Sequence, residues 1–156
     1  MPDIYGSYLL CSNQSDYDGS IGPFYLTFDV LYNITQSYLF SYAFFNNMNY
    51  DTNSNKWVVT VEGYYNIMFN CQFYNKSNRS GSDVYSFISL NSDDLFRRCY
   101  TTILYTSNQS INLDINIPCL YLKIDDILQF GINLYSSPNR IYVTDSYLNI
   151  LLLKEV

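Results

Sequence analysis

Acidic side chains are the groups in this chain whose type and spacing come closest to supporting chemistry. Asp93-Asp94 and Asp125-Asp126 are adjacent pairs, and Asp16 and Asp18 lie in a stretch rich in Gly and Ser. Loops of this kind supply the oxygen ligands that calcium prefers. However, neighbouring residues on a strand point to opposite faces, and Asp in a turn usually accepts hydrogen bonds from nearby backbone amides. We therefore expect carboxylates that stabilise turns, and neither a metal site nor a cofactor.

The residues needed for catalysis are largely missing. The chain contains no histidine, which removes the commonest general base and the usual partner of a catalytic serine. Neither G-x-S-x-G nor S-x-x-K occurs, so no serine has an evident activating group. A glycoside hydrolase needs two placed carboxyl groups, and neither Glu62 nor Glu155 lies on an aromatic-lined strand face. We expect no catalytic residue, and a carboxylate-dependent glycoside hydrolase is the third of three hypotheses.

The overall charge excludes two classes of partner. The formal net charge is −6, with 8 Lys and Arg among 156 residues, whereas nucleic acids and anionic membranes require clustered basic residues. The four cysteines include no C-x-x-C pair, which argues against zinc and favours reduced thiols. No stretch approaches the roughly 20 apolar residues of a membrane span, and the N-terminus lacks the basic segment of a signal peptide. We expect no nucleic-acid binding and no membrane insertion.

Alternation of apolar and polar residues defines the strands that carry these groups. It is clearest from Asn55 to Phe73, where it changes phase at Gly63 and predicts two strands, the second central to a sheet. Ile111–Ile117 is the clearest one-sided strand, and Pro118 is expected to end it or to mark a sheet edge. Tyr147–Leu153 is apolar on both faces and is expected to be buried on both.

The remaining segments complete an all-β pattern. Strands are expected at Tyr5–Cys11, Phe24–Tyr32, Ser37–Phe45, Val84–Leu90, Phe96–Thr106, Ile127–Tyr135 and Ile141–Thr144, and the alternation resumes at Leu120, Leu122 and Ile124. Asn91–Asp94 is expected to be a turn, and Asn46–Asn55 and Asn75–Asp83 polar loops. Turn signals every 8–12 residues predict an antiparallel β-sandwich or barrel that forms one domain over residues 1–156.

Three groups of residues resemble the tumour-necrosis-factor and complement-globular-head superfamily. Asn49-Tyr50-Asp51, then Trp57 and Val59, then Gly63–Phe69 are similar to its N…YD loop, aromatic residue and G-x-Y-x-F strand. Leu122–Leu128 resembles its L-x-x-G-D-x-V turn, and Ser146–Leu152 its closing strand. The resemblance spans residues 24–153. The chain departs from the pattern at Asp125 and Ile150, which stand where the family has glycine, and no proline precedes Gly63.

The resemblance implies a ten-stranded jelly roll that assembles as a homotrimer with apolar residues along the threefold axis. The axis candidates are Tyr65, Phe69, Phe130, Leu134, Tyr147 and Leu151, and each is equally suited to the core of one chain. The chain has no Gly-X-Y segment, and domains of this class also form heads of viral appendages.

The preferred hypothesis is a non-enzymatic trimeric structural or attachment head, located in a virion or, failing that, in the cytoplasm. Its Tyr- and Asn-rich loops would contact a capsid or receptor protein or a surface glycan. The ligand-loop candidates are Asn49, Tyr50, Asp51, Lys76 and Arg79. The alternative is a monomeric carbohydrate-binding module in which an exposed tyrosine or Trp57 stacks on sugar rings.

Overall fold

In the computed structural model of the chain, strands and turns account for residues 7–11, 16–18, 24–26, 48–51, 53–75, 82–103, 110–134, 140–143 and 146–156, which are the residues that the structure describes. Within these ranges there is no helix, and therefore none that could cross a membrane. The strands are β1 (Ser7–Cys11), β2 (Asp16–Asp18), β3 (Phe24–Tyr25), β4 (Met48–Asp51), β5 (Lys56–Val59), β6 (Gly63–Asn75), β7 (Ser82–Leu90), β8 (Asp93–Ile103), β9 (Ser110–Leu122), β10 (Ile127–Leu134), β11 (Arg140–Val143) and β12 (Ser146–Glu155).

The strands form two antiparallel sheets. In the first, called the β6 sheet, β6 pairs with β9 on one side and with β12 and β11 on the other, while β1 extends β12 and β2 extends β11. In the second, called the β10 sheet, the order is β4-β5-β10-β7-β8, and β3 also pairs with β10. The prediction of an all-β antiparallel sandwich with a central strand after Gly63 is confirmed.

The hydrophobic core lies between the two sheets. Alternate residues of β6, from Tyr65 to Phe73, are buried, as are Trp57 and Val59 on β5. The rings of Phe69 and Phe130 lie 5.3 Å apart in an edge-to-face arrangement and join the two sheets. Because each sheet of the sandwich turns one face to the core, the apolar residues of these strands keep a period of two.

Pro118 lies within β9 rather than at its end. Tyr65 is opposite Leu120 but Ile67 is opposite Ile117, so β9 carries one extra residue at Pro118-Cys119. The side-chain amide of Asn66 donates to the Pro118 carbonyl oxygen at 3.3 Å and partly satisfies the bulge. The expected strand end is therefore wrong, because β9 continues past Pro118 to Leu122. Among the described strands β9 pairs only with β6, and the expected sheet edge stays a prediction.

A second register shift lies on the other side of β6, between Leu152 and Lys154 of β12. Leu148 and Ile150 of β12 are buried, whereas Leu153 at the shift is 46% exposed. The prediction that β12 is buried on both faces is therefore wrong for its second half. The apolar residue count was high there because one of the leucines is an outward bulge residue.

In the β10 sheet, an aromatic side chain packs over a glycine. Gly131 of β10 is opposite Phe87 of β7, and a Cβ at Gly131 would lie 2.5 Å from the Phe87 ring and 2.4 Å from the Phe24 carbonyl oxygen. The Tyr25 ring packs edge-on against Phe87 with centroids 5.6 Å apart. The missing side chain at Gly131 therefore makes room for Phe87, which is fully buried.

Several predictions fall partly or wholly outside the described residues. The largest such parts are the strand Ser37–Phe45, residues 27–32 of the strand Phe24–Tyr32 and residues 76–81 of the loop Asn75–Asp83. Cys71, Cys99 and Cys119 are thiols that form no disulfide, and Cys119 is exposed. The extent of the domain stays a prediction.

Candidate interaction face

Asp126 stabilises the turn before β10, as the sequence predicts, whereas Asp93 and Asp94 are the first residues of β8, so the predicted turn Asn91–Asp94 is wrong for residues 93 and 94. Asp126 accepts hydrogen bonds from the Lys123 backbone N–H and from the Asn91 side-chain amide, both at 2.8 Å. Asp93 accepts one from the Leu95 N–H at 3.0 Å. Asp94 accepts a hydrogen bond from the Tyr25 hydroxyl at 2.9 Å. Partial burial, assisted by this bond and by the charge of Asp94, raises the pKa of the Tyr25 phenol to about 12. Within the described ranges, no three acidic or cysteine side chains converge on a point that could hold a metal ion.

The first group of ligand-loop candidates forms a hairpin instead of a loop. Asn49, Tyr50 and Asp51 lie on β4, so the predicted loop Asn46–Asn55 is wrong for residues 48–51. The Tyr50 ring stacks on the buried Trp57 at 4.2 Å between centroids. The Asp51 carboxylate accepts bonds from the Ser54 hydroxyl and the Asn53 N–H, and these bonds lower its pKa. Asn49 is exposed; Lys76 and Arg79 lie outside the described residues.

Three axis candidates are core residues of the single chain. Tyr65, Phe69 and Phe130 are 0%, 1% and 0% exposed, so they leave no surface for a second copy to contact. The Tyr65 hydroxyl donates to the Val61 carbonyl oxygen at 2.5 Å, and burial, assisted by the charge of Glu155, raises its pKa to about 12.

Of the other three axis candidates, only Leu151 has a described side chain. Leu151 is half-buried on β12 and is opposite Asn66 on the outward side of the sheet. Leu134 and Tyr147 have described backbones in β10 and β12, but their side chains lie outside the described part of the chain. Of the six candidates, Leu151 alone has a described side chain that reaches the surface.

The exposed apolar side chains gather on the outward side of the β6 sheet. Of the seven large hydrophobic side chains that are exposed in the described ranges, three project from β6 and β9 and one from β12: Tyr64 at 39%, Met68 at 47%, Tyr121 at 39% and Leu153 at 46%. We call this surface the β6 face. The polar residues between them are mostly amides: Asn66, Asn70 and Gln72 on β6, Asn112 and Asn116 on β9, and Asn149 on β12.

One end of the β6 face carries an aromatic pair beside a carboxylate. The rings of Tyr64 and Tyr121 lie 5.4 Å apart and are tilted by 49°. The Tyr121 hydroxyl donates to Glu62, and this bond is the main reason why the pKa of Tyr121 is raised. In the middle of the face, the Asn70 side-chain amide donates to Asp114 at 2.5 Å. The face thus combines apolar area with groups that donate and accept hydrogen bonds.

The β6 face can be identified in the sequence from the residues of β6 that alternate with the buried ones. The alternation that buries Tyr65, Ile67 and Phe69 necessarily turns Tyr64 and Met68 outward. A methionine and a tyrosine therefore interrupt the otherwise amide-rich outward phase of β6. The axis candidates Tyr65 and Phe69 belong to the buried phase of the same strand.

The fold is that of the tumour-necrosis-factor and complement-head jelly rolls, as the resemblance in the sequence predicts. The Eiger TNF of S. frugiperda superimposes with a TM-score of 0.64 at 10% identity, covering 99% of this chain and 95% of that one. The globular domain of the zebrafish complement 1qA protein superimposes with a TM-score of 0.57 at 12% identity, covering 99% of this chain and all of that one. No protein-family model and no curated protein sequence matches the chain.

Proposed function

We propose that the protein is a non-enzymatic structural or attachment head that assembles as a homotrimer through the β6 face. The observation that carries the proposal is the grouping of Tyr64, Met68, Tyr121 and Leu153 on one side of one sheet. Exposed apolar patches of this kind mark interaction sites in soluble proteins. Three copies is the number that the jelly-roll resemblance implies.

Covering this face contributes favourably to association. Apolar surface contributes about 25 cal/mol for each Å² removed from water. The four side chains are each 39–47% exposed, so covering them buries somewhat less than half of four large side chains, on the order of 3 kcal/mol per copy. Three copies that each bury such a face gain enough to offset part of the cost of association.

We further propose a virion as the site of action, with a capsid protein, a receptor protein or a surface glycan as the external partner. Support comes from the Tyr- and Asn-rich, weakly charged composition, with 18 Tyr and 14% charged residues. Tyr and Asn combine flat apolar contact with hydrogen bonding at low entropy cost. A head whose β6 face is occupied by its own copies would present its remaining surface, including Asn49, to such a partner.

The test is the molar mass in solution by light scattering behind a sizing column, repeated over a dilution series. We expect a stable mass near three times 18.3 kDa. Met68→Glu places a charge on the β6 face and should give a monomer with an unchanged far-UV spectrum. Leu95→Glu is the matched control, because Leu95 is 67% exposed on β8 of the other sheet, and it should leave the mass unchanged. A monomeric wild type, or equal effects of both changes, would refute the proposal.

A monomeric carbohydrate-binding module is the second candidate, favoured by the exposed Tyr64 and Tyr121 rings beside the Glu62 carboxylate. Trp57 cannot serve as the stacking residue, because it is fully buried. This candidate predicts glycan-array binding by a monomer, lost on Tyr121→Ala. Absence of binding on the array would remove it.

A further inference from the structure

The two methionines in the described part of the chain differ sharply in their access to solvent. Met48 on β4 is 2% exposed and belongs to the core, whereas Met68 on β6 is 47% exposed. Met68 also lines a shallow cleft on the β6 face, with a volume of about 350 Å³. This cleft admits a molecule of the size of hydrogen peroxide beside the Met68 side chain, whereas burial excludes one from Met48.

Access is the main requirement for oxidation of a thioether. The methionine sulfur reacts through its own lone pair and needs no activating base, which suits a chain without histidine. The sulfur bonds to one oxygen of the peroxide, and the O–O bond breaks. The proton of that oxygen passes to the leaving hydroxide, which departs as water. The sulfur is thereby oxidised by two electrons and the peroxide is reduced.

The product would change the character of the β6 face. Methionine sulfoxide carries a polar oxygen where the thioether is apolar. Asn116 is exposed and lies directly opposite Met68 on β9, and opposite residues of paired strands have Cβ atoms about 4.5–5.5 Å apart. The Asn116 amide can therefore donate to the sulfoxide oxygen while the face is open to water. Covering the face would remove a hydrated polar group from water, which is unfavourable without a new partner.

We propose that Met68 is an oxidation site that controls assembly. A peroxide converts Met68 to the sulfoxide in the unassembled chain, and the polar product keeps the β6 face from joining other copies. This inference rests on the proposed homotrimer, in which the β6 face is the contact and shields Met68 from the oxidant. Methionine sulfoxide reductases reverse the reaction, so the switch works in both directions.

A second exposed sulfur must be distinguished from Met68. Cys119 is exposed on β9, next to the register shift of that strand, and the same oxidant acts on thiols. Sulfenic acids and disulfides, which are the products of mild thiol oxidation, are reversed by a thiol reductant. Methionine sulfoxide requires its own reductases. Dithiothreitol added after the peroxide therefore restores the thiols and leaves the methionine oxidised.

The experiment treats the folded full chain with hydrogen peroxide and then with dithiothreitol, and follows each methionine by peptide mass spectrometry. Sedimentation over a dilution series gives the dissociation constant of the oligomer, and far-UV spectra establish folding. We expect Met68 to oxidise at least about tenfold faster than Met48, and more slowly as the protein concentration rises. The dissociation constant should rise by about tenfold or more, and methionine sulfoxide reductases should restore it.

Met68→Leu is the matched variant, because leucine has nearly the volume of methionine and carries no sulfur. Whatever dissociation constant this variant has before treatment, peroxide should leave it unchanged. An equal response of the variant, or equal oxidation rates of Met48 and Met68 in the folded chain, would overturn the inference. So would a trimeric wild type whose dissociation constant stays the same once Met68 is fully oxidised. A wild type that is monomeric at every concentration overturns the proposed function and the inference together.

Discussion

Alkaline pH should destabilise the fold through Tyr65 by an amount that the structure predicts. The Tyr65 phenol is fully buried, and its pKa rises from 10.0 to about 12. The folded state therefore holds the proton more tightly than the unfolded chain does. The resulting stabilisation is complete below pH 10 and is lost as the pH rises towards and through 12. Because one pKa unit corresponds to a little over 1 kcal/mol, the loss is on the order of 1 kcal/mol at pH 11 and approaches roughly 3 kcal/mol above pH 12.

The perturbation that isolates this effect is Tyr65→Phe. At pH 8 the variant should be less stable than the wild type by about 1 kcal/mol, because the hydrogen bond to the Val61 carbonyl oxygen is lost. As the pH rises, the wild type loses its Tyr65 contribution and the variant has none to lose. The two curves of unfolding free energy should therefore cross near pH 11, with the variant the more stable form beyond it.

The assay is urea unfolding at pH values from 8 to 12, followed by tryptophan fluorescence from Trp57. The other tyrosines ionise in both proteins, so their effects cancel in the difference. Tyr64→Phe removes an exposed phenol next in sequence and serves as the control, for which no crossing is expected. A difference between wild type and Tyr65→Phe that stays constant over this range would refute the reasoning. A change in oligomer mass on Tyr65→Phe would show instead that Tyr65 lies at an interface between copies.

Two further predictions concern the stability of the fold, at Gly131, where only glycine fits, and at the turn of Asp125 and Asp126. Gly131→Ala should lower the free energy of unfolding by at least about 2 kcal/mol, because the new methyl group would overlap the Phe87 ring. In urea unfolding, the double variant with Phe87→Leu should recover part of that loss, whereas Phe87→Leu alone should not be more stable than the wild type. Asp125 has a φ of 69°, so Asp125→Gly should raise stability by about 0.5–1 kcal/mol, whereas Asp126→Ala should lower it by about 1–3 kcal/mol because Lys123 N–H and Asn91 lose their acceptor. Equal signs for the two aspartate changes in thermal and urea unfolding would contradict this account.

Local sequence patterns predict most strands of the two sheets, but they do not predict which strands pair. The alternation in β6 and β9 predicts both strands because each has one buried side. β4 is missed because Met48–Asp51, although its apolar and polar residues alternate, has only four residues and follows an Asn-rich stretch that is typical of a loop. Its place in the sheet comes from pairing with β5 and from the Tyr50 stack on Trp57.

Bulges limit what the pattern can predict. The extra residue at Pro118-Cys119 shifts the phase of β9, which reads in the sequence as two segments separated by a proline. The Asn66 side chain that bonds the Pro118 carbonyl oxygen lies 52 residues away along the chain. No local rule connects the two, so the continuity of β9 follows only from the sheet.

The candidate face shows a different limit. Periodicity distinguishes the two sides of a strand, and in β6 it does so correctly. However, apolar residues are favoured both in a core and at an interface between copies. Tyr65 and Phe69 satisfy either description in the sequence, and only their burial in one chain assigns them to the core. At Asp125 the structure explains a departure that the sequence shows. Its φ is positive, which is why glycine is usual at the matching position of the family that the chain resembles.

The bulge in β9 also bears on aggregation. A Tyr- and Asn-rich chain with few charges has the composition of segments that stack into cross-β fibrils. β9 is 13 residues long and pairs only with β6 among the described strands. A strand side without a partner is a template on which a foreign strand could grow. Pro118 removes one donor from β9, the bulge bends the strand, and Asp114 would place like charges in register in a growing stack. The irregularity that hides β9 in the sequence thus disfavours fibril growth on this strand.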